Sequence, residues 1–247
     1  MTLFLPAQNC ADMKIFGLQK MTLLDFPGRV ACTAFLGGCN FRCPFCHNSE
    51  LFDGTAEPVM DDQELLTFLE KRRGILDGVC ITGGEPTLQP DLEKLLRSVK
   101  ELGYPVKLDT NGYRPEVLQA LVEKGLVDYV AMDIKNSPEA YGQTVGLSNM
   151  DLSRIEQSIR ILAQGTVDYE FRTTVVAELH NEESIAAMGK WLLDTAGAPV
   201  KRLFLQSFVD RDTVMFAGLH APQAAQTARF AEILEPFAEF VKIRGND

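Results

Sequence analysis

The segment Val30–Asn48 reads VACTAFLGGCNFRCPFCHN, and the fold is read outward from it. Its first part, Val30–Leu36, is a short apolar run that stops at Gly37-Gly38, the pattern of a buried strand. Three cysteines follow at once, Cys39, Cys43 and Cys46, in CxxxCxxC spacing. A strand that feeds a loop of chemically active side chains is the signature of a sheet whose strand ends carry function.

Five further runs repeat the strand pattern: Gly78–Thr82, Pro105–Asp109, Val127–Ile134, Tyr169–Val176 and Arg202–Gln206. Between them fall segments with apolar residues at helical spacing. Asp61–Arg73 opens on Asp61-Asp62 and stops at Gly74; Leu92–Leu102 stops at Gly103; Pro115–Lys124 stops at Gly125. These follow the usual asymmetry of helix ends. Asp151–Ala163, Glu182–Thr195 and Pro222–Phe237 complete the helices, and a short apolar tail, Phe240–Ile243, follows. Six strands alternating with helices, without hairpin turns, predict an α/β protein with parallel strands. Either an open doubly wound sheet or a partial (β/α)6 barrel satisfies that pattern. No linker or repeat interrupts it, so residues 1–247 are expected to form one domain, with a core over about 16–206 and a helical extension over about 207–247.

The net charge of -10 is spread along the chain, and no basic stripe is present to displace counterions from a nucleic-acid backbone. The N-terminal MTLFLPAQNCADMK lacks the basic flank and small-residue cleavage site of a secretory signal. No run approaches the roughly 18–20 apolar residues of a membrane span. A cytoplasmic protein without nucleic-acid or membrane partners is expected. Three clustered cysteines in such a chain read as metal binding rather than disulfides. Cys32 and Cys80, inside strand runs, read as small buried hydrophobes, and Cys10 is given no role.

Three thiolates can hold three irons of a cubane and leave the fourth open. The alternative is zinc, with His47 or a distant group as fourth ligand, but His47 adjoins Cys46 too closely for both to reach one tetrahedral ion without strain. Four more motifs fall at strand ends. ITGGEP (Ile81–Pro86) offers carbonyls and the Glu85 carboxylate in a glycine-permitted turn, able to accept from an ammonium group; alone it reads as an ordinary loop. LDTNG (Leu108–Gly112) and MDIK (Met132–Lys135) bring Asp109 and Asp133 to the same rim, where two carboxylates require a cation or a hydrogen-bonding ligand. Lys135 reads otherwise as a solvated lysine. Arg172, among apolar strand residues, needs a partner, and a structural ion pair across the barrel mouth is its other reading. DFPG (Asp25–Gly28) is a good turn by itself.

With Phe45 before the last cysteine and His47-Asn48 after it, the cysteine motif resembles the radical S-adenosylmethionine superfamily, particularly its glycyl-radical-enzyme activases. The resemblance spans about Phe16–Gln206, and the lead-in GLQKMTLLDFPG is most similar to the longer form of the activator of anaerobic ribonucleoside-triphosphate reductase. Phe26 stands where the pyruvate formate-lyase activator has glycine. The resemblance implies a partial (β/α)6 barrel and one 4Fe–4S cluster on Cys39, Cys43 and Cys46. It also implies reductive cleavage of S-adenosylmethionine to a 5′-deoxyadenosyl radical, and a flavodoxin- or ferredoxin-type electron donor. By the same match, Phe45 lies near the adenine, and Gly83, Gly84 and Glu85 hold the methionine amino group. Lys135 pairs with the methionine carboxylate; Asp109, Asn111, Arg172 and Gln206 contact the cofactor. Asp109, Thr110 and Asp133 bind a monovalent cation, and Asp25 meets the glycine-bearing loop of the partner. Other acceptors remain open, namely a pyruvate formate-lyase-like enzyme or a small molecule such as a pterin. So does a non-catalytic zinc module.

Overall fold

The computed structural model describes residues 13–245; Cys10 lies outside them. The strands are β1 (Lys14–Thr22), β2 (Ala31–Leu36), β3 (Met60–Asp61), β4 (Gly78–Gly83) and β5 (Val106–Thr110), then β6 (Tyr129–Asp133), β7 (Asp168–Val175), β8 (Leu203–Ser207) and β9 (Val241–Arg244). The helices are α1 (Glu50–Asp53), α2 (Asp62–Lys71), α3 (Leu92–Glu101) and α4 (Pro115–Glu123), then α5 (Pro138–Thr144), α6 (Leu152–Ala163), α7 (Glu182–Ala196) and α8 (Ala224–Leu234). Local chemistry sets their ends. Asp61 accepts from the Glu64 amide while the Glu64 side chain accepts from the Asp61 amide, a capping box that starts α2. Gly197, at φ 78°, stops α7.

The nine strands of the described residues join one sheet in the order β3-β1-β2-β4-β5-β6-β7-β8-β9. From β2 onward every pairing is parallel, and β1 pairs antiparallel with β2 and β3. Parallel strands that follow one another in chain order never reverse direction across the sheet. A doubly wound sheet requires that reversal, so the architecture is the partial barrel. Successive helices pack side by side outside it, α2 on α3, α4 on α6, α6 on α7 and α7 on α8.

The six expected strands are present, with bounds moved by one residue at most except at β6, which starts two residues later and ends one earlier than its apolar run. The apolar tail forms β9, a seventh parallel strand beside β8, so residues 207–247 are not simply a helical extension. The β1 and β3 edge was not anticipated.

Side chains alternate across the sheet. Val79, Ile81, Val106, Leu108, Val130, Met132, Phe171 and Leu205 join the large apolar cluster beneath the helices. The other face, turned into the barrel, is polar, and Lys107, Asp109, Asp133, Glu170 and Arg172 meet there. Parallel strands covered on both sides are ordinarily apolar on both faces. Here the inner face carries a cluster of charge.

Candidate active site

At the carboxyl ends of the parallel strands lies a cavity of about 240 Å³. Cys39, Cys43 and Cys46 line it together with Asp109, Asp133, Lys135 and Arg172. Phe45, Gly83, Gly84, Thr110, Asn111 and Gln206, also singled out from sequence, line it as well. Thr82, Thr174 and Asn48 also line it and were not anticipated.

The cysteine loop is held by its own backbone. Arg42 donates to the carbonyls of Cys39 (2.6 Å) and Phe41 (2.7 Å), and its guanidinium lies 4.7 Å from the Phe52 ring. Its amide donates to Val145 (2.8 Å), Gln89 donates to Gly37 (2.7 Å), and Asn111 donates to Asn40 (2.7 Å). The turn after β4 lies directly against this loop. The Gly84 amide donates to Leu36 (2.9 Å) and the Glu85 amide to Gly38 (2.7 Å). A Cβ on Gly84 would stand 2.0 Å from the Gly38 oxygen, and one on Gly83 would stand 2.3 Å from the Leu36 oxygen. Only glycine permits that approach.

Glu85 itself does not line the cavity. Fully buried, its carboxylate accepts from the Thr87 amide (3.1 Å), the Thr87 hydroxyl (2.5 Å), the Thr110 hydroxyl (2.7 Å) and the Asn111 amide (2.7 Å). Burial pushes this carboxyl up, and the donated hydrogen bonds oppose the shift. Its oxygens tie the turn after β4 to the turn after β5.

The cation expected between Asp109 and Asp133 is Arg172. It donates to Asp133 Oδ1 (3.0 Å) and Asp109 Oδ2 (3.2 Å). Lys107 pairs with Asp109 Oδ1, and Lys135 with Asp133 Oδ2 at 2.9 Å. Each oxygen of both carboxylates is thus engaged by a protein cation. The Thr110 hydroxyl is turned to Glu85 instead of joining them. Guanidinium and ammonium groups thus balance the charge of the two aspartates. Burial alone would raise Asp133, but Lys135 and Arg172 override it and hold its carboxyl down at about 2. Burial alone would lower Lys135, and Asp133 outweighs it to hold the ammonium well above its usual range. The Lys135 ammonium also lies 5.9 Å from the Phe45 ring centroid. Lys107 was missed, although a lysine two residues before Asp109 shares its face of the strand and needs a buried partner.

Asp25 is not at this cavity. Its carboxylate accepts from Thr33 on the inner face of β2 at 2.6 Å. The following turn, closed by the Arg29 amide donating to Phe26 (3.1 Å), packs Phe26 against Tyr129 at the opposite end of the strands. His47, the alternative zinc ligand, directs Nε2 to the Val209 oxygen at 2.6 Å.

The chain matches the family described as the Radical SAM superfamily over residues 33–192, more than half its length. It belongs to the radical SAM superfamily. Within this superfamily it falls among the glycyl-radical-enzyme activating enzymes. It is 30% identical over 239 residues to a Methanocaldococcus jannaschii protein provisionally named a glycyl-radical enzyme activating enzyme, covering 93% of this chain and 95% of that one. It is also 30% identical over 183 residues to the pyruvate formate-lyase 1-activating enzyme of Escherichia coli K12, covering 70% of this chain and 72% of that one. A domain of a pyruvate-formate lyase-activating enzyme from Bacteroides vulgatus shares the fold with a TM-score of 0.55 at 20% identity, over 68% of this chain and 99% of that one. The radical SAM family implies a 4Fe–4S cluster and S-adenosylmethionine.

The residues present fit that pair. Burial pushes Cys39 up to about 11 and Cys43 up to about 12, and raises Cys46, so a bound cation is what would hold them as thiolates. Among the described residues no three His, Cys, Asp or Glu side chains are drawn up around a single ion. A cubane does not need that convergence, because each thiolate meets a different iron. The same cavity holds cationic groups suited to a carboxylate and the Gly83-Gly84 turn, whose backbone suits an amino group. Among the described residues, no helix is long and apolar enough to cross a membrane.

Proposed function

We propose that this radical SAM enzyme installs a glycyl radical on anaerobic ribonucleoside-triphosphate reductase. In this reading Cys39, Cys43 and Cys46 hold one 4Fe–4S cluster. The observation that carries it is the meeting of three thiols and the Lys135–Asp133–Arg172 ion cluster in one cavity at the strand ends. When bound, the cluster and S-adenosylmethionine supply a one-electron reductive cleavage that yields a 5′-deoxyadenosyl radical.

The chain's own residues bind and orient. Lys135 offers its ammonium to the methionine carboxylate while Asp133 keeps it charged. Gly83 and Gly84 present backbone to the amino group, and Phe45 offers an apolar wall beside the Cys46 thiol. Asn111 and Gln206 offer amide groups to the adenosine side. Arg172 sets the spacing of Asp109 and Asp133 and donates to both. No bound inorganic cation is included, because Lys107, Arg172 and Lys135 already occupy the aspartate oxygens. Asp25 is assigned to the partner's glycine-bearing segment. The electron donor is a flavodoxin- or ferredoxin-type protein, and the setting is the cytoplasm.

The choice of reductase rests on the GLQKMTLLDFPG lead-in and on Phe26. A second reading, with a pyruvate formate-lyase-like partner, is favoured by the names of the relatives. Incubating the reconstituted, reduced protein and S-adenosylmethionine with each candidate partner tests both. A glycyl doublet in the electron paramagnetic resonance spectrum of the reductase alone supports the first reading. A doublet only in the pyruvate formate-lyase-like protein supports the second.

A further inference from the structure

His47, which also lines the cavity, follows the last cysteine, and Ser49 stands two residues further on; neither is given a cofactor contact above. Each reaches across to the same stretch, residues 208–223 between β8 and α8. His47 Nε2 meets the Val209 oxygen at 2.6 Å, and the imidazole stacks on Phe208 with centroids 5.6 Å apart and 12° between planes. The buried Ser49 hydroxyl donates to the Thr213 oxygen at 2.5 Å. Ser49 precedes α1 without capping it through its side chain, so its hydroxyl is free for this contact.

The stretch is anchored at both ends by groups from the β7 side. The Phe208 amide donates to Val175 (3.0 Å), the Ala177 amide donates to His220 (2.9 Å), and His220 Nδ1 lies 2.7 Å from Glu178. Its underside is apolar: Phe208, Val214 and Leu219 pack with Phe45 and Val176, and Cys43 touches the same cluster. Between the anchors, residues 209–213 are held to the rest of the chain through His47 and Ser49. A segment fastened by two side-chain hydrogen bonds opens locally at low cost unless they hold.

We propose that His47 and Ser49 are positioning residues that latch residues 209–213 to the cysteine loop, so that the β8–α8 segment packs behind Phe45 and fixes that ring in the cavity wall. The order of the cysteine loop is transmitted to the segment by two short hydrogen bonds. The proposal rests on the cavity being the cofactor site.

Hydrogen–deuterium exchange of the peptide covering 209–215, read in the reconstituted full chain, tests the latch. Loss of one net hydrogen bond of about 1 kcal/mol corresponds to roughly fivefold faster local exchange. His47→Ala and Ser49→Ala should each show about that acceleration, and the double variant more, with iron content unchanged. S-adenosylmethionine should bind severalfold more weakly to the double variant. His47→Gln and Ser49→Thr keep a donor at each position and should restore slow exchange, which a merely space-filling role would not produce. Exchange that stays at the parent rate in the double variant overturns the proposal, and so does parallel loss of iron, which would place both residues in the cysteine loop's own integrity. If the parent protein fails to cleave S-adenosylmethionine while the exchange differences persist, the functional reading falls and the latch stands.

Discussion

Replacing Glu85 by Gln separates two roles for this carboxylate. In the structure, Oε1 accepts from the Thr87 amide, the Thr87 hydroxyl and the Thr110 hydroxyl, while Oε2 accepts from the Asn111 amide. A glutamine must turn its NH2 toward one of these groups of donors. The cheaper orientation faces the Asn111 amide, which leaves a buried N–H unpaired and weakens the remaining three bonds from charged to neutral. Hydrogen bonds to charged groups contribute about 1.5–3 kcal/mol each. Removing the buried charge returns part of that, so a net loss of about 2–3 kcal/mol is expected. That is a large share of a total stability of about 5–15 kcal/mol. For a chain of this size it corresponds to a fall in Tm of about 4–12 °C. Thermal denaturation of the apoprotein measures it, and equilibrium binding of S-adenosylmethionine to the reconstituted variant well below its Tm completes the test. Binding should stay within about threefold of the parent. A variant that melts with the parent yet loses cofactor binding tenfold or more would refute the structural role and restore Glu85 as a cofactor ligand.

Lys135→Met should leave iron content near normal and weaken S-adenosylmethionine binding about 10- to 100-fold, the worth of one charged hydrogen bond; equal loss of iron would make Lys135 structural. Asp133 lies below its usual value of 3.8, at about 2. Its stabilisation is therefore complete above pH ~4 and is lost as pH falls from there toward ~2, amounting to about 2 kcal/mol. Acid titration of apoprotein stability should show a shallower limb in Asp133→Asn than in the parent, and identical limbs would contradict the Lys135–Asp133–Arg172 pairing. Gly84→Ala places a Cβ 2.0 Å from the Gly38 oxygen, an overpacking cost of about 1–3 kcal/mol or more. The turn should move off the cysteine loop and the variant should retain less iron; parent-like iron content and Tm would show that the two backbones are not in contact.

Much of this was legible in the sequence because apolar runs stop cleanly at glycine and charged residues interrupt otherwise apolar strands. Asp109, Asp133 and Arg172 stood out for that reason, Lys135 only through the family resemblance, and the structure brings the four together. β1 was hidden because Lys14, Gln19 and Lys20 blur its alternation and its register with β2 shifts twice. β9 has only four residues, and its strand character comes from pairing with β8. The fate of Glu85 could not be read locally. It depends on Thr110 and Asn111 arriving from another turn, and a carboxylate in GGEP looks the same whether its partners are ligand or protein. The charge between the two aspartates was anticipated correctly as a need, but its supply by Arg172, Lys107 and Lys135 depends on the curvature that turns their strands toward one another.

The most direct test is the yield of 5′-deoxyadenosine after anaerobic reconstitution, reduction with dithionite and addition of S-adenosylmethionine. The parent protein should form it, and Cys43→Ala, left with two thiols at the cavity wall, should lose most of its cluster and form almost none. A parent protein with a full cluster and bound S-adenosylmethionine that forms no 5′-deoxyadenosine would contradict the assignment of this cavity to radical SAM chemistry.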